Sequence, residues 1–193
     1  MYLNLIILKK KNNLLFLGRI NPIKNIDILI EAYSNLSSKV KSKFSLIIVG
    51  EAFLDYEKKY LNKLKTIIKT KKLENNIKFL GPIYGVKKLK IISESYCLLL
   101  PSKSENFGNV VLEAISQKTP VIASNKTPWK ILKDNNAGYW INPDIDSINN
   151  ALNDIIFIDK KKYYNIQKSA ILLLYDKFSF KNNISLWKNY YSN

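Results

Sequence analysis

Tyr96-Cys97-Leu98-Leu99-Leu100-Pro101-Ser102-Lys103-Ser104-Glu105-Asn106-Phe107-Gly108-Asn109-Val110-Val111-Leu112-Glu113-Ala114 passes from an apolar run, through a polar loop, into a helical pattern. An apolar run without alternation is what a strand buried on both faces of a parallel sheet requires. Gly108 is the one glycine in the stretch and stands where loop becomes helix. There the backbone can approach a ligand with no side chain in the way. A helix N-terminus offers unpaired N–H groups and about half a positive charge, a seat for an anion such as phosphate.

Two carboxylates flank that seat, Glu105 in the loop and Glu113 eight residues later. With the helix counted from about Asn106, Glu113 lies roughly two turns in, on the side facing the loop. An acid at the mouth and another inside suit a ligand with hydroxyls at both ends and phosphates between them, the description of a sugar nucleotide. The plain alternative for such a pair is two solvated surface acids.

The same grammar extends toward the N-terminus. Leu14 to Gly18 reads as a buried strand, Gly18-Arg19-Ile20-Asn21-Pro22-Ile23-Lys24-Asn25 as a loop, and Ile26, Leu29, Ile30, Tyr33 and Leu36 as one helix face. Strand, glycine loop and helix form a βα unit whose loop faces a ligand at the carboxyl end of a sheet. Arg19 is the only arginine among 31 basic residues, so its position calls for the planar fork of a guanidinium. Lys24 follows five residues later. As isolated features both would be solvated loop charges.

Further units repeat the alternation: strand Phe44 to Val49 ending at Gly50, helix Tyr56 to Leu73, strand Ile77 to Leu80, turn-rich loop 81–85 and helix Val86 to Ser95. Beyond the acidic loop come strand Pro120 to Ala123, a helix with Thr127 as cap and Pro128 at its first position, and strand Gly138 to Ile141. Helices Asp144 to Phe157 and Lys162 to Tyr175 follow. Trp129 is expected in the core, with a binding platform as the alternative. Phe178-Ser179-Phe180 opens a closing segment with Trp187, Tyr190 and Tyr191 on an aromatic face. Asn4 to Lys11 receives no assignment. Strands alternating with helices predict an α/β, Rossmann-like parallel sheet covered on both faces, a single domain over residues 1–193.

Composition narrows the chemistry. Hydrophobic residues make up 47% of the chain, as in a globular protein, and no apolar run reaches membrane-spanning length. Met1 to Leu8 is too short for a signal peptide. The absence of histidine excludes a Ser-His-Asp triad, a Cys-His pair and His-ligated metals. The single cysteine, Cys97, sits in a strand pattern and offers neither disulfide nor metal spacing, which fits a cytoplasmic chain. The net charge of +16 raises the question of nucleic acid. Its lysines, however, are scattered along predicted helices without any nucleic-acid-binding signature, so no nucleic-acid partner is expected. Such a surface favours anionic substrates and anionic membrane faces.

Taken together, Gly18-Arg19…Lys24, Pro101-Ser102, Glu105-Asn106-Phe107-Gly108 and Glu113-Ala114 resemble the retaining glycosyltransferases of family 4, in the C-terminal, donor-binding half of their GT-B fold. The resemblance covers residues 14 to about 190. It implies that Gly18, Arg19 and Lys24 clamp the donor diphosphate. Glu105, Asn106, Phe107, Gly108, Asn109 and Glu113 would hold the donor sugar and ribose, and Ile83 in the 81–85 loop would meet the base, a simple tight turn being the alternative there.

It further implies transfer with retention, in which the departing phosphate takes the acceptor proton. The protein then stabilises charge, with Arg19, Lys24 and Glu105 as the catalytic group. A nucleotide sugar is the co-substrate, and no cofactor or metal is called for, the phosphate contacts being direct. The acceptor would be a glycan or lipid-linked molecule, in surface polysaccharide or lipopolysaccharide synthesis by the Thr127-Pro128-Trp129 signature, with peripheral contact to an anionic membrane. The closing helix, about 178–191, would cross back to a partner domain. That N-terminal Rossmann half is not matched, so the chain needs it from another polypeptide or is the product of a truncated gene. The alternative is a non-catalytic nucleotide-sugar-binding or interaction module. One departure from the family pattern is Asn25, where glycine is frequent; asparagine also tolerates left-handed backbone.

Overall fold

A computed structural model describes residues 10–178. Six strands, β1 (Asn13–Leu17), β2 (Ser45–Val49), β3 (Ile77–Phe79), β4 (Cys97–Leu100), β5 (Val121–Ser124) and β6 (Tyr139–Ile141), form one parallel sheet in the order β3-β2-β1-β4-β5-β6. This is the Rossmann order. Strand succession reverses between β1 and β4, and the crevice outside their carboxyl ends is where such sheets bind ligands. The connecting helices are α1 (Ile26–Ser34), α2 (Ser38–Lys41), α3 (Asp55–Thr70), α4 (Gly85–Glu94), α5 (Asn109–Ser116), α6 (Lys130–Asp134), α7 (Ile145–Phe157) and α8 (Lys160–Phe178).

The strands are apolar on both sides because both sides are covered. Leu14, Phe16, Leu46, Ile48, Leu99 and Ile122 face a core completed by Leu29, Ile30 and Tyr33 of α1, Leu64 of α3 and Leu152 of α7. Their alternate neighbours Leu15, Ile47, Leu98, Leu100 and Val121 face the other way. They meet Val111 and Ile115 of α5, Leu132 of α6 and Leu173 of α8. Each such leucine or isoleucine contributes about 1.5–3 kcal/mol when removed from water. Cys97 belongs to this interior, as expected, and burial pushes its thiol up to about 12.

Several boundaries differ from the sequence expectation. Gly18, Leu80, Pro120 and Gly138 lie outside the strands, because they begin or end the turns that reverse the chain. The four-residue α2, capped by Ser37, is additional. The helix of the acidic stretch starts at Asn109 rather than near Asn106. Gly108 is left-handed, with φ +79°, and a left-handed residue cannot continue a right-handed helix. Glu113 is therefore about one turn in, not two. Thr127 does not cap α6: its hydroxyl donates to the Ser124 carbonyl at 2.6 Å, and Trp129 occupies the cap. Phe178 ends α8 instead of opening a closing segment. The expectations for Trp187, Tyr190, Tyr191 and most of the closing helix fall outside the described residues, as does most of the unassigned stretch Asn4 to Lys11. Among those described, no helix is long and apolar enough to cross a membrane.

Candidate functional site

Two loops form the lips of the switch-point crevice. The first follows β1 and is positioned by backbone. The Gly18 N–H donates to Val49 O at 3.0 Å, Ile20 N–H to Glu51 O at 2.9 Å, and Gly50 N–H to Gly81 O at 2.9 Å. A Cβ on Gly50 would lie 1.9 Å from the Gly18 carbonyl oxygen, and its φ is +150°. Only glycine fits beneath this lip. Asn21 caps the 3-10 turn Pro22–Lys24 by accepting from the Ile23 N–H at 2.9 Å. Asn25 then takes φ 58° and donates its amide to Pro143 O at 2.8 Å. It does hold the left-handed backbone expected of it.

Arg19 projects from this lip with its side chain half exposed, anchored through Nε to Glu57 Oε1 at 3.0 Å. Its terminal guanidinium nitrogens have no partner among the described residues. Glu57, on the first turn of α3, has a side chain with no exposure at all. It also accepts from Asn21 Nδ2 at 2.8 Å and from the Phe53 and Leu54 N–H groups at 2.9 and 3.2 Å. Burial raises the pKa of such an acid. The bonds from Asn21 and the two amides, together with the Arg19 charge, outweigh that, and the carboxyl is held below its ordinary value.

The second lip follows β4 and is positioned by packing. Trp129, 1% exposed, donates its indole N–H to Phe107 O. Its ring lies 5.2 Å from that of Phe107 and 5.6 Å from that of Phe178. Trp129 is thus core, as expected, and props the loop from beneath. A Cβ on Gly108 would come within 3.1 Å of Glu105 Cγ and 3.2 Å of Trp129 Nε1. Ser102, fully buried, accepts from Ser124 Oγ at 2.5 Å through its carbonyl and donates its hydroxyl to Glu105 Oε2 at 3.2 Å. At the start of α5 the Asn109 and Val110 N–H groups have no acceptor among the described residues, leaving an anion seat.

The lips meet. The Lys103 N–H donates to Ile23 O at 2.8 Å. Lys24 Nζ lies 2.5 Å from Glu105 Oε2, with the two side chains only 18% and 16% exposed. Two residues assigned separately to a diphosphate and to a sugar are therefore ion-paired with each other. Glu113 does not stand alone either: Lys88 Nζ of α4 is 2.5 Å from its Oε1. Ile83 is half-buried against the apolar core on the α5 face, while Asn106, Phe107 and Asn109 are exposed.

Sequence reasoning missed Glu57 and Lys88. An acid in the first turn of an amphipathic helix was visible at Glu57, but nothing local pointed to Arg19 as its partner. Lys88 is one lysine of many. Among the described residues, no group of three or more His, Cys, Asp or Glu side chains gathers in one place.

Comparison with known proteins identifies the family and the fold. Residues 4–172 match the family described as Glycosyl transferases group 1. The chain is 31% identical over 192 residues to Alpha-1,3/1,6-mannosyltransferase ALG2 of Dictyostelium discoideum, covering 93% of this chain and 45% of that protein. It is 33% identical over 139 residues to O-antigen chain mannosyltransferase RfbU of Salmonella typhimurium, covering 70% of this chain and 36% of the relative. In structure it resembles Anabaena Alr3699/HepE in complex with UDP and glucose (TM-score 0.82, 24% identity, covering 95% of this chain and 49% of that one). It also resembles the C-terminal domain of the glycosyl transferase group 1 family protein LpcC from Francisella tularensis (TM-score 0.78, 25% identity, 89% and 88%). The chain spans less than half the length of the curated relatives it matches.

Proposed function

The chain belongs to the glycosyl transferases group 1 family, and from that premise we propose that it is the donor-binding half of a retaining glycosyltransferase of family 4. The observation that carries this reading is the crevice at the β1/β4 switch point. One lip presents the outer guanidinium nitrogens of Arg19, the other the open N–H groups of α5, and the lips are joined through Lys24 and Glu105. Cations and amide dipoles at one crevice suit a diphosphate. Ionised carboxylates at Glu105 and Glu113 are acceptors only, able to take hydrogen bonds from the hydroxyls of the sugar and ribose of a nucleotide sugar.

In this reading Arg19 and the α5 amides stabilise the negative charge that grows on the departing diphosphate. Gly18 and Gly108 leave room for it, Ile83 lies against the base, and Asn106, Phe107 and Asn109 border the sugar. Charge stabilisation by these groups needs no metal, so nucleotide binding should survive a chelator. The UDP named with the Anabaena structure supports a nucleotide sugar. The O-antigen and mannosyltransferase relatives support a hexosyl group passed to a glycan or lipid-linked acceptor of surface polysaccharide, at the cytoplasmic face of an anionic membrane.

The acceptor-binding half is supplied from outside residues 1–193. Exposed apolar side chains at this end of the sheet, Ile23, Phe53, Leu54, Tyr84 and Phe107, offer that half a surface to cover. The test is calorimetric titration of the chain with UDP-glucose, UDP-N-acetylglucosamine, GDP-mannose and ADP-glucose. One donor should bind the native chain, and Arg19→Ala should weaken it at least ~10-fold; with a partner half supplied, the same change should lower the rate ~10²–10³-fold. No binding by any donor, or equal binding by Arg19→Ala, would overturn the site. Sugar transfer by the chain alone would overturn the need for a second half.

A further inference from the structure

The donor-site reading leaves unexplained why a phosphate-binding lysine should be held by a carboxylate. Lys24 and Glu105 come from opposite lips, 81 residues apart in the chain, and are in direct contact with less than a fifth of either side chain exposed. Glu105 also accepts from the Ser102 hydroxyl at 3.2 Å, and its Cγ lies where any side chain at position 108 would crowd it, within 3.1 Å of a Cβ there. The carboxylate is thus fixed beside the cation rather than free to swing away.

Charge makes this placement selective. An ionised carboxylate is acceptor-only: it can bond an ammonium or a hydroxyl, and it repels a phosphate. A nucleoside diphosphate carries about three negative charges near neutral pH, because its terminal phosphate loses a second proton near pH 6. The sugar ester of the same nucleotide carries about two, and places hydroxyls where the extra charge would be. Repulsion between half-buried charges a few ångströms apart is only weakly screened by salt.

We propose, resting on the donor-site reading, that Glu105 is a discriminating group. It disfavours the free nucleoside diphosphate at Lys24 while accepting the sugar hydroxyls of the intact donor, so that the crevice prefers its substrate and releases its by-product. On transfer the bond from the anomeric carbon to the phosphate oxygen breaks as the bond to the acceptor oxygen forms, and the acceptor proton passes to the departing phosphate and from it to water. Glu105, without its hydroxyl partners, then faces a terminal phosphate with one more negative charge, and Lys24 returns to the carboxylate.

The experiment compares Glu105→Gln with the native chain in titrations of UDP against UDP-glucose, GDP against GDP-mannose and ADP against ADP-glucose. For the nucleotide that binds, Glu105→Gln should tighten the diphosphate about 10-fold while weakening the sugar ester. A merely structural role would weaken both alike. If Glu105→Gln fails to fold, Glu105→Ala is read in the same way. An unaltered preference between diphosphate and sugar ester overturns the discriminating role and leaves the donor site standing. No binding of any of the six ligands by either form overturns the donor site and this role with it.

Discussion

The two lips of the crevice do the same work by different means. The β1–α1 lip is held by a buried charge: Glu57 collects Arg19, Asn21 and two backbone amides in a place without solvent. The β4–α5 lip is held by aromatic packing, with Trp129 wedged between Phe107 and Phe178 and its indole N–H on the loop's own carbonyl. A lip built on a carboxylate responds to pH, whereas one built on rings does not. The guanidinium that the first lip presents is therefore fixed only while Glu57 is ionised, and the amides of the second are fixed whenever the core is folded.

The contrast is broken most severely at the aromatic lip. Trp129→Ala should cost ~3–5 kcal/mol, the scale for emptying a buried aromatic site, read as a lower urea midpoint at unchanged m-value. It should do so equally at pH 5 and pH 8. At the charged lip, Glu57→Gln should cost ~2–3 kcal/mol near neutrality, because buried donors lose their charged acceptor. Here pH enters with a definite sign. The folded-state pKa of Glu57 is depressed, so its contribution is fully present above the ordinary carboxylate value of about 4.5. It is lost as pH falls through the lower folded-state value. The stability gap between native and Glu57→Gln chains should close on acidification; a gap independent of pH would show that the carboxylate charge does not hold this lip. The smallest expected effect sharpens the comparison from below. Ser124→Ala removes the hydroxyl's bond to the Ser102 carbonyl and the one it accepts from the Lys126 N–H and should cost about 1–2 kcal/mol, with Arg19-dependent binding unaffected.

The fold was legible because parallel strands buried on both faces write themselves as unbroken apolar runs, and each of the six ended in glycine, proline or a polar turn. Boundaries slipped where a flanking residue was counted into the strand, as with Gly18 after β1 and Pro120 before β5. They also slipped where a left-handed glycine delayed a helix, as at Gly108. Of the site, residue types could be read but pairings could not. Arg19 was conspicuous as the lone arginine, yet its anchor Glu57 lies 38 positions away on a different helix. Lys24 and Glu105 were each legible, but not their contact, which depends on β1 and β4 lying side by side. Glu113 was legible and Lys88 was not, since one lysine in a lysine-rich chain carries no mark.

β1 pairs with β2 on one side and with β4 on the other, so three strands precede the reversal and three follow it. The rows Leu14–Phe16 and Cys97–Leu99 are the seam along which these two wings join, and neither wing carries both lips. The crevice comes into being only when strands more than eighty residues apart zip together, a slow kind of event for a chain in search of its fold. Ligand recognition should thus be absent from every partly folded form that lacks the seam, and its appearance during refolding would time the moment the halves close.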